Sequence, residues 1–292
     1  MFYDQYKFEQ LVRTTLTITD EQEIETLLQC FQNAVAGNME AMVDIALFHR
    51  SYELYGAMSV WLKRAAQLGY NDAQYELANC YIEGLGVEEN EQEALRLYTC
   101  AAEQGHADAA NNLADMYFNG EGVDVNEELA FSWFTRAADA GVVEAMFSLG
   151  IMCEQGLGME TDKQRAFSYY IQAAEGGYVD AQYRVGTVYF EGLLGQPQNY
   201  DAALEWFERA ATQFNIDSIY NIGYFYEHGI GVTQNTEKAI RYYKQASLLG
   251  DYHAKLNIAE LYEQGNGIAV NHLEAEKWRE AAIQQIGEAD FD

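Results

Sequence analysis

Five glycine pairs at one spacing are the first residues in this chain that could do chemistry: Gly84/Gly86, Gly120/Gly122, Gly156/Gly158, Gly229/Gly231 and Gly265/Gly267. A Gly-x-Gly turn can cradle a phosphate when it follows a strand and opens a helix. No strand-like run precedes any of these pairs, and all of them occupy one slot of a longer pattern, so they read as turns. The histidines are His49, His106, His228, His253 and His272. None falls in H-E-x-x-H spacing and none builds a His/Cys ligand cluster. His228 and His253, with Glu227 close by in sequence, read as surface residues. The cysteines Cys30, Cys80, Cys100 and Cys153 are too few and too irregular for a disulfide framework or a zinc site. Acidic turns such as Glu121 with Asp124 lack the ligand spacing of a calcium loop. No G-x-S-x-G elbow occurs. These residues point to no catalytic group, no metal and no cofactor, and an enzyme ranks last among the functions considered.

Charge says more. Seventeen Lys and Arg face 46 Asp and Glu, for a formal net charge of −29. Such a surface repels nucleic acid, whose recognition needs clustered cations, and attracts basic partners. Hydrophobic content of 49% and charged content of 22% describe a chain that folds. The opening MFYDQYKFEQ lacks the basic-then-apolar form of a secretory signal. No run of about 18 apolar residues is available to span a bilayer. A reducing cytoplasm is the expected compartment, with no membrane contact.

The elements that must position any site repeat. The stretch opening at Ala73 recurs from Ala109 and from Ala145, an interval of 36 residues, and three further copies open at Ala181, Ser218 and Ala254. A period of this size signals stacked supersecondary units. Counting each opening residue as position 0, apolar residues fall mostly at positions 0, 4, 5 and 8, as in Ala73, Leu77, Ala78 and Tyr81, which is one stripe of a helix. The small residue at position 5 lets a paired helix approach. After the glycine pair comes an N-cap residue, Asn90, Asn126, Asp162, Asn199, Asn235 or Asn271. A second helix follows, alternating alanines with large aromatics, and a glycine ends it in most copies. Cys153 stands where the other five copies carry Tyr and reads as a small core residue. The single proline, Pro197, suits long helices.

Residues 1–36 read as a helical cap and half repeat, with a helix opening at Asp20 and closing at Gly37. Residues 37–286 read as one solenoid, a degenerate repeat at 37–70 followed by six full repeats from 71. In the degenerate repeat, Tyr52 to Gly56 is expected to make a tight turn. Residues 287–292 form an acidic tail.

The pattern A-x-x-x-L-[AG]-x-x-Y-x-x-G-x-G-V-x-x-[ND]-x-x-x-A-x-x-[LWY]-[FY]-x-x-A-A-x-x-G resembles the Sel-1-like repeat (SLR) family, relatives of tetratricopeptide repeats, from about Gly37 to Ile286. The resemblance implies an all-α, right-handed superhelical solenoid of helix-turn-helix repeats with first helices on its concave face. It implies an interaction module, scaffold or adaptor, or alternatively an immunity protein that sequesters a secreted bacterial toxin. By tetratricopeptide analogy the concave slots hold Tyr75 and Glu83, then Asp115 and Phe118, then Phe147 and Glu154. They continue with Tyr183, Phe190 and Glu191, and with Tyr220, Tyr224 and Glu227. None of these slots is needed for packing on this reading, and none carries Lys or Arg. Acids beside aromatics are then candidate anchors for a basic protein or peptide.

Overall fold

A computed structural model describes the backbone of residues 4–289 and side chains through Gln285. The last three residues of the expected tail, Asp290 to Asp292, lie outside the described residues. The described chain is helical, with no strand. It opens with α1 (Gln5–Gln10), which runs into a π-helical turn at Leu11–Thr15, and α2 (Glu21–Ala36) follows. Asp20 caps α2, accepting from the backbone of Gln22 at 2.8 Å and Glu23 at 3.0 Å. Gly37 ends it at φ 107°.

Seven helix pairs come next: α3 (Met39–Ser51) with α4 (Tyr55–Gln67), α5 (Asn71–Glu83) with α6 (Glu91–Glu103), α7 (Ala107–Asn119) with α8 (Glu127–Asp139), and α9 (Val143–Gln155) with α10 (Lys163–Glu175). They continue with α11 (Val179–Glu191) and α12 (Tyr200–Ala211), α13 (Ile216–His228) and α14 (Thr236–Leu248), and α15 (Tyr252–Gln264) and α16 (His272–Ala289). The chain forms two compact units that divide inside α9. The first takes the chain up to Ala145 together with Leu157–Met159, and the second takes Met146–Gly156 and the chain from Glu160 on.

One device recurs at every full repeat. The Asn or Asp ahead of each second helix accepts from the backbone three residues on; Asn90 Oδ1 to Glu93 N is 3.0 Å and Asn235 Oδ1 to Lys238 N is 2.9 Å. Its own N–H donates back to the first helix, Asn90 to the Tyr81 carbonyl at 2.9 Å and Asn235 to that of Tyr226 at 2.8 Å. One residue thus starts the second helix and closes the loop, satisfying groups that a helix terminus leaves open.

The second glycine of each pair has a further job that the turn reading did not include. A Cβ at Gly86 would stand 2.0 Å from the Tyr55 carbonyl oxygen, at the start of the preceding second helix, and one at Gly158 would stand 2.4 Å from that of Glu127. The loop presses its backbone directly onto the preceding repeat.

In the degenerate repeat the turn is shorter than Tyr52 to Gly56. It consists of Tyr52, Glu53 and Leu54, and Gly56 lies inside α4. Glu53 takes the left-handed position at φ 58°. Phe214 does the same at φ 61° where other repeats place a closing glycine. A non-glycine residue there costs about 1 kcal/mol or more and stays only because its surroundings hold it.

Inside each unit the core is made of alanines interleaved with rings. In the first, Phe31, Trp61, Tyr98 and Phe134 are buried; in the second, Tyr170, Phe207, Phe225 and Tyr243. Each such ring contributes about 1.5–3 kcal/mol when fully removed from water. Cys153 is buried as a core residue, and no disulfide joins the four cysteines.

Candidate interaction surface

The face to consider is the row of first helices, taken in each unit separately. In the first unit Tyr75 sits half-buried on α5. Its ring is stacked on His106 at 4.5 Å and lies 6.1 Å from Tyr98. Glu83, at the end of the same helix, is exposed. On α7, Phe118 meets Phe134 edge-on at 6.5 Å. Asp115 is half-buried and accepts from the Asn111 amide at 3.1 Å. Burial, with Glu121 adding repulsion, pushes its carboxyl up to about 6. The side-chain oxygen of Asn111 is buried without a hydrogen-bond partner.

In the second unit Phe147 packs on Tyr170 at 5.5 Å and Tyr178 at 5.2 Å. Tyr183 leans on Phe207 at 5.9 Å, and Tyr220 on Tyr243 at 5.2 Å. Phe190 lies 5.4 Å from Phe225, and Tyr224 meets it edge-on at 6.4 Å. Glu191 is exposed. Glu154 accepts from the Tyr170 hydroxyl at 2.8 Å, and Glu227 accepts from that of Tyr243 at 2.6 Å. Burial first, then the carboxylate beside it, raises the pKa of each of these tyrosines.

The slots are therefore not idle in packing. Side chains on a helix lean toward its N-terminus, which brings position 2 (Tyr75, Phe147, Tyr183, Tyr220) against the buried ring of the second helix. Each of these position 2 rings is half-buried. The acids divide as well: Glu154 and Glu227 each commit an oxygen to a neighbouring hydroxyl, whereas Glu83 and Glu191 have no ion pair among the described residues.

A further polar row runs along position 3 of the first helices. Asn112 donates to the Tyr98 hydroxyl at 3.2 Å and Asn257 to that of Tyr220 at 2.8 Å, each from one repeat to the one before. Arg184, at the same position, reaches back to Glu154 and stands over the Tyr170 ring, its Cζ 5.7 Å from the centroid. The face thus carries an arginine although the chosen slots have none. The signal that could have found this row is polarity at a fixed position inside an otherwise apolar stripe: Glu76, Asn112, Ser148, Arg184, Asn221 and Asn257.

A second feature without a sequence signal is a hollow of about 450 Å³ lined by Phe8, Phe31, His49, Leu54 and Trp61, among others. His49 Nδ1 lies 2.6 Å from the Ile45 carbonyl, and burial lowers the pKa of the ring. His228 lies on Tyr224 and His253 on Tyr252, at 4.2 and 3.9 Å between centroids.

A family model described as Sel1 repeat matches residues 60–70, 71–106, 107–142, 143–178, 179–213, 216–251 and 253–285. Among solved structures, c5321 of uropathogenic Escherichia coli, described as a protective antigen displaying an SLR fold, superposes with a TM-score of 0.84 at 26% identity. The match covers 98% of this chain and 62% of that protein, so the chain spans less than two thirds of its length. A Sel1 repeat protein from Oxalobacter formigenes superposes with a TM-score of 0.70 at 26% identity, covering 82% of this chain and 96% of that one. The immunity protein Pa5087 from Pseudomonas aeruginosa matches at 21% identity and a TM-score of 0.43, over 76% of this chain and 83% of its own, too loosely to carry an argument. No curated protein matches the chain.

Proposed function

Because this chain belongs to the Sel1 repeat family, a family of protein-interaction modules, we propose that it is a non-enzymatic binding module whose first-helix face holds a basic protein or peptide. One observation carries the reading. Within each unit, exposed acids without an ion pair, such as Glu83 in the first and Asp180, Glu191 and Asp217 in the second, stand beside half-buried aromatic rings. Half-buried rings supply apolar anchorage, and the acids around them set the charge of what can dock. The whole-chain charge of −29 acts in the same sense at longer range, speeding encounter with a cationic partner.

A narrower version, an immunity protein that sequesters a basic secreted toxin, draws on the same charge. The partner's identity separates the two: one toxic protein bound tightly supports the inhibitor, several housekeeping clients the adaptor.

The test reverses three exposed acids, Asp180→Lys, Glu191→Lys and Asp217→Lys together, and compares proteins retained from lysate by the two forms. Exposed acids leave the packing intact; the two at helix starts cost about 0.3–1 kcal/mol each. A partner held by the parent in low salt, released in high salt and lost from the variant supports the reading. Equal retention of every protein by both forms refutes it.

A further inference from the structure

Position 9 of the first helix is glutamate three times in the second unit: Glu154, Glu227 and Glu263. Two of the three carry an arginine. Arg184 comes to Glu154 from the next repeat, while Tyr170 occupies the other carboxylate oxygen at 2.8 Å. Arg279 comes to Glu263 from the second helix of its own repeat. Glu227 has the first arrangement with its cation missing. Tyr243 donates to its Oε2 at 2.6 Å, as Tyr170 does at Glu154. The residue corresponding to Arg184 is Asn257, whose amide goes to the Tyr220 hydroxyl. Glu227 Oε1 is left with no hydrogen bond or ion pair among the described residues.

We propose that Glu227 and Tyr243 form a seat for a guanidinium group supplied from outside the chain, an arginine side chain of the bound partner. The molecule itself supplies the template: at Glu154 a guanidinium already pairs with the carboxylate and lies over the ring of the hydroxyl donor. At Glu227 the Tyr243 ring is buried and only orients the carboxylate, so the incoming fork meets the open carboxylate oxygen, a planar acceptor that a guanidinium matches better than an ammonium does. Tyr243 holds the carboxylate in place, so the incoming cation meets an oriented acceptor. The proposal rests on the reading of the first-helix face as a binding surface and gives that surface one anchor of defined chemistry.

The probe is a capped pentapeptide, Gly-Ser-Arg-Ser-Gly, titrated in low salt against its lysine counterpart, which reports general attraction to the acidic surface. Wild type is expected to bind the arginine peptide several-fold more tightly than the lysine peptide. Glu227→Gln removes that preference, weakening arginine binding at least tenfold. Asn257→Arg supplies an internal guanidinium as Arg184 does and blocks the seat to the same degree. Arg184→Asn vacates the equivalent seat at Glu154 and raises the number of bound arginine peptides from one to two. Equal binding of both peptides by wild type, or unchanged arginine binding by Glu227→Gln with helicity intact, overturns the proposal. A partner lost on reversing Asp180, Glu191 and Asp217 but indifferent to Glu227→Gln leaves the binding face standing and removes this seat alone.

Discussion

The side-chain amide of Asn257 donates to the hydroxyl of Tyr220, 37 residues earlier, at 2.8 Å. The bond joins the first helices of two successive repeats across the half-buried rim of the face, with burial raising the Tyr220 pKa. Such a bond contributes about 0.5–1.5 kcal/mol. A double-mutant cycle with Asn257→Ala and Tyr220→Phe, read by urea unfolding, is expected to give a coupling in that range. Additive single effects would show that the two groups do not support each other.

Asp115 makes stability fall as pH rises through its titration. The unfolded chain releases this proton near 3.8 and the folded chain near 6, so between those values the native state holds the extra proton. The window of about two pH units corresponds to at most about 3 kcal/mol, and partial solvent access reduces it to about 1–2. Asp115→Asn keeps an acceptor for Asn111 and is expected to stabilise the protein by about 1–2 kcal/mol above pH 6. The gain shrinks as pH falls and is gone below 3.8. Melting curves at pH 7.5 and 4.5 check this.

Gly186 faces the ring of Phe207 so closely that a Cβ would stand 2.7 Å from two ring atoms. Helix propensity alone favours alanine over glycine by about 1 kcal/mol. The overlap reverses the sign: Gly186→Ala is expected to lose about 1–2 kcal/mol. Gly186→Ala with Phe207→Leu is expected to cost less than the two changes summed. Chemical denaturation of all three variants measures it.

Thiol accessibility separates the cysteines. Cys80 and Cys153 are buried, and burial pushes the Cys80 thiol up to about 11. Cys30 and Cys100 are half-exposed. A thiol reagent at neutral pH is expected to modify at most Cys30 and Cys100 in the native protein and all four in urea. Native labelling of Cys80 would show that its helix opens locally.

The helices and their joints were legible because each depends on residues close in sequence. Asn90 caps the helix that begins at Glu91, accepting from Glu93 N, and Gly84 turns the chain where it stands. The half-buried state of Tyr183 and Tyr220 was not legible. A concave slot predicts direction, while contact depends on the ring size of the partner helix, Phe207 or Tyr243, about 23 residues on. The pairing of Arg184 with Glu154 was hidden for the same reason, since its partner lies 30 residues back. Glu53 shows the converse case. The left-handed position fell on a residue that disfavours it, although Gly56 stood nearby, because α4 begins at Tyr55 and takes Gly56 inside the helix.

Two of the loop glycines lie against main chain of the preceding repeat. Gly86 rests on the carbonyl of Tyr55 and Gly158 on that of Glu127, groups that every residue possesses. Side chains still take part in the joint, since the Gly158 N–H donates to the Glu127 carboxylate at 2.9 Å and the Thr236 hydroxyl donates to the Asn266 carbonyl at 2.5 Å. Where the contact is main chain to main chain, a neighbouring repeat can change its side chains without disturbing the joint, so surface positions can vary while the loop stays seated. A binding face on such a scaffold can be revised one repeat at a time.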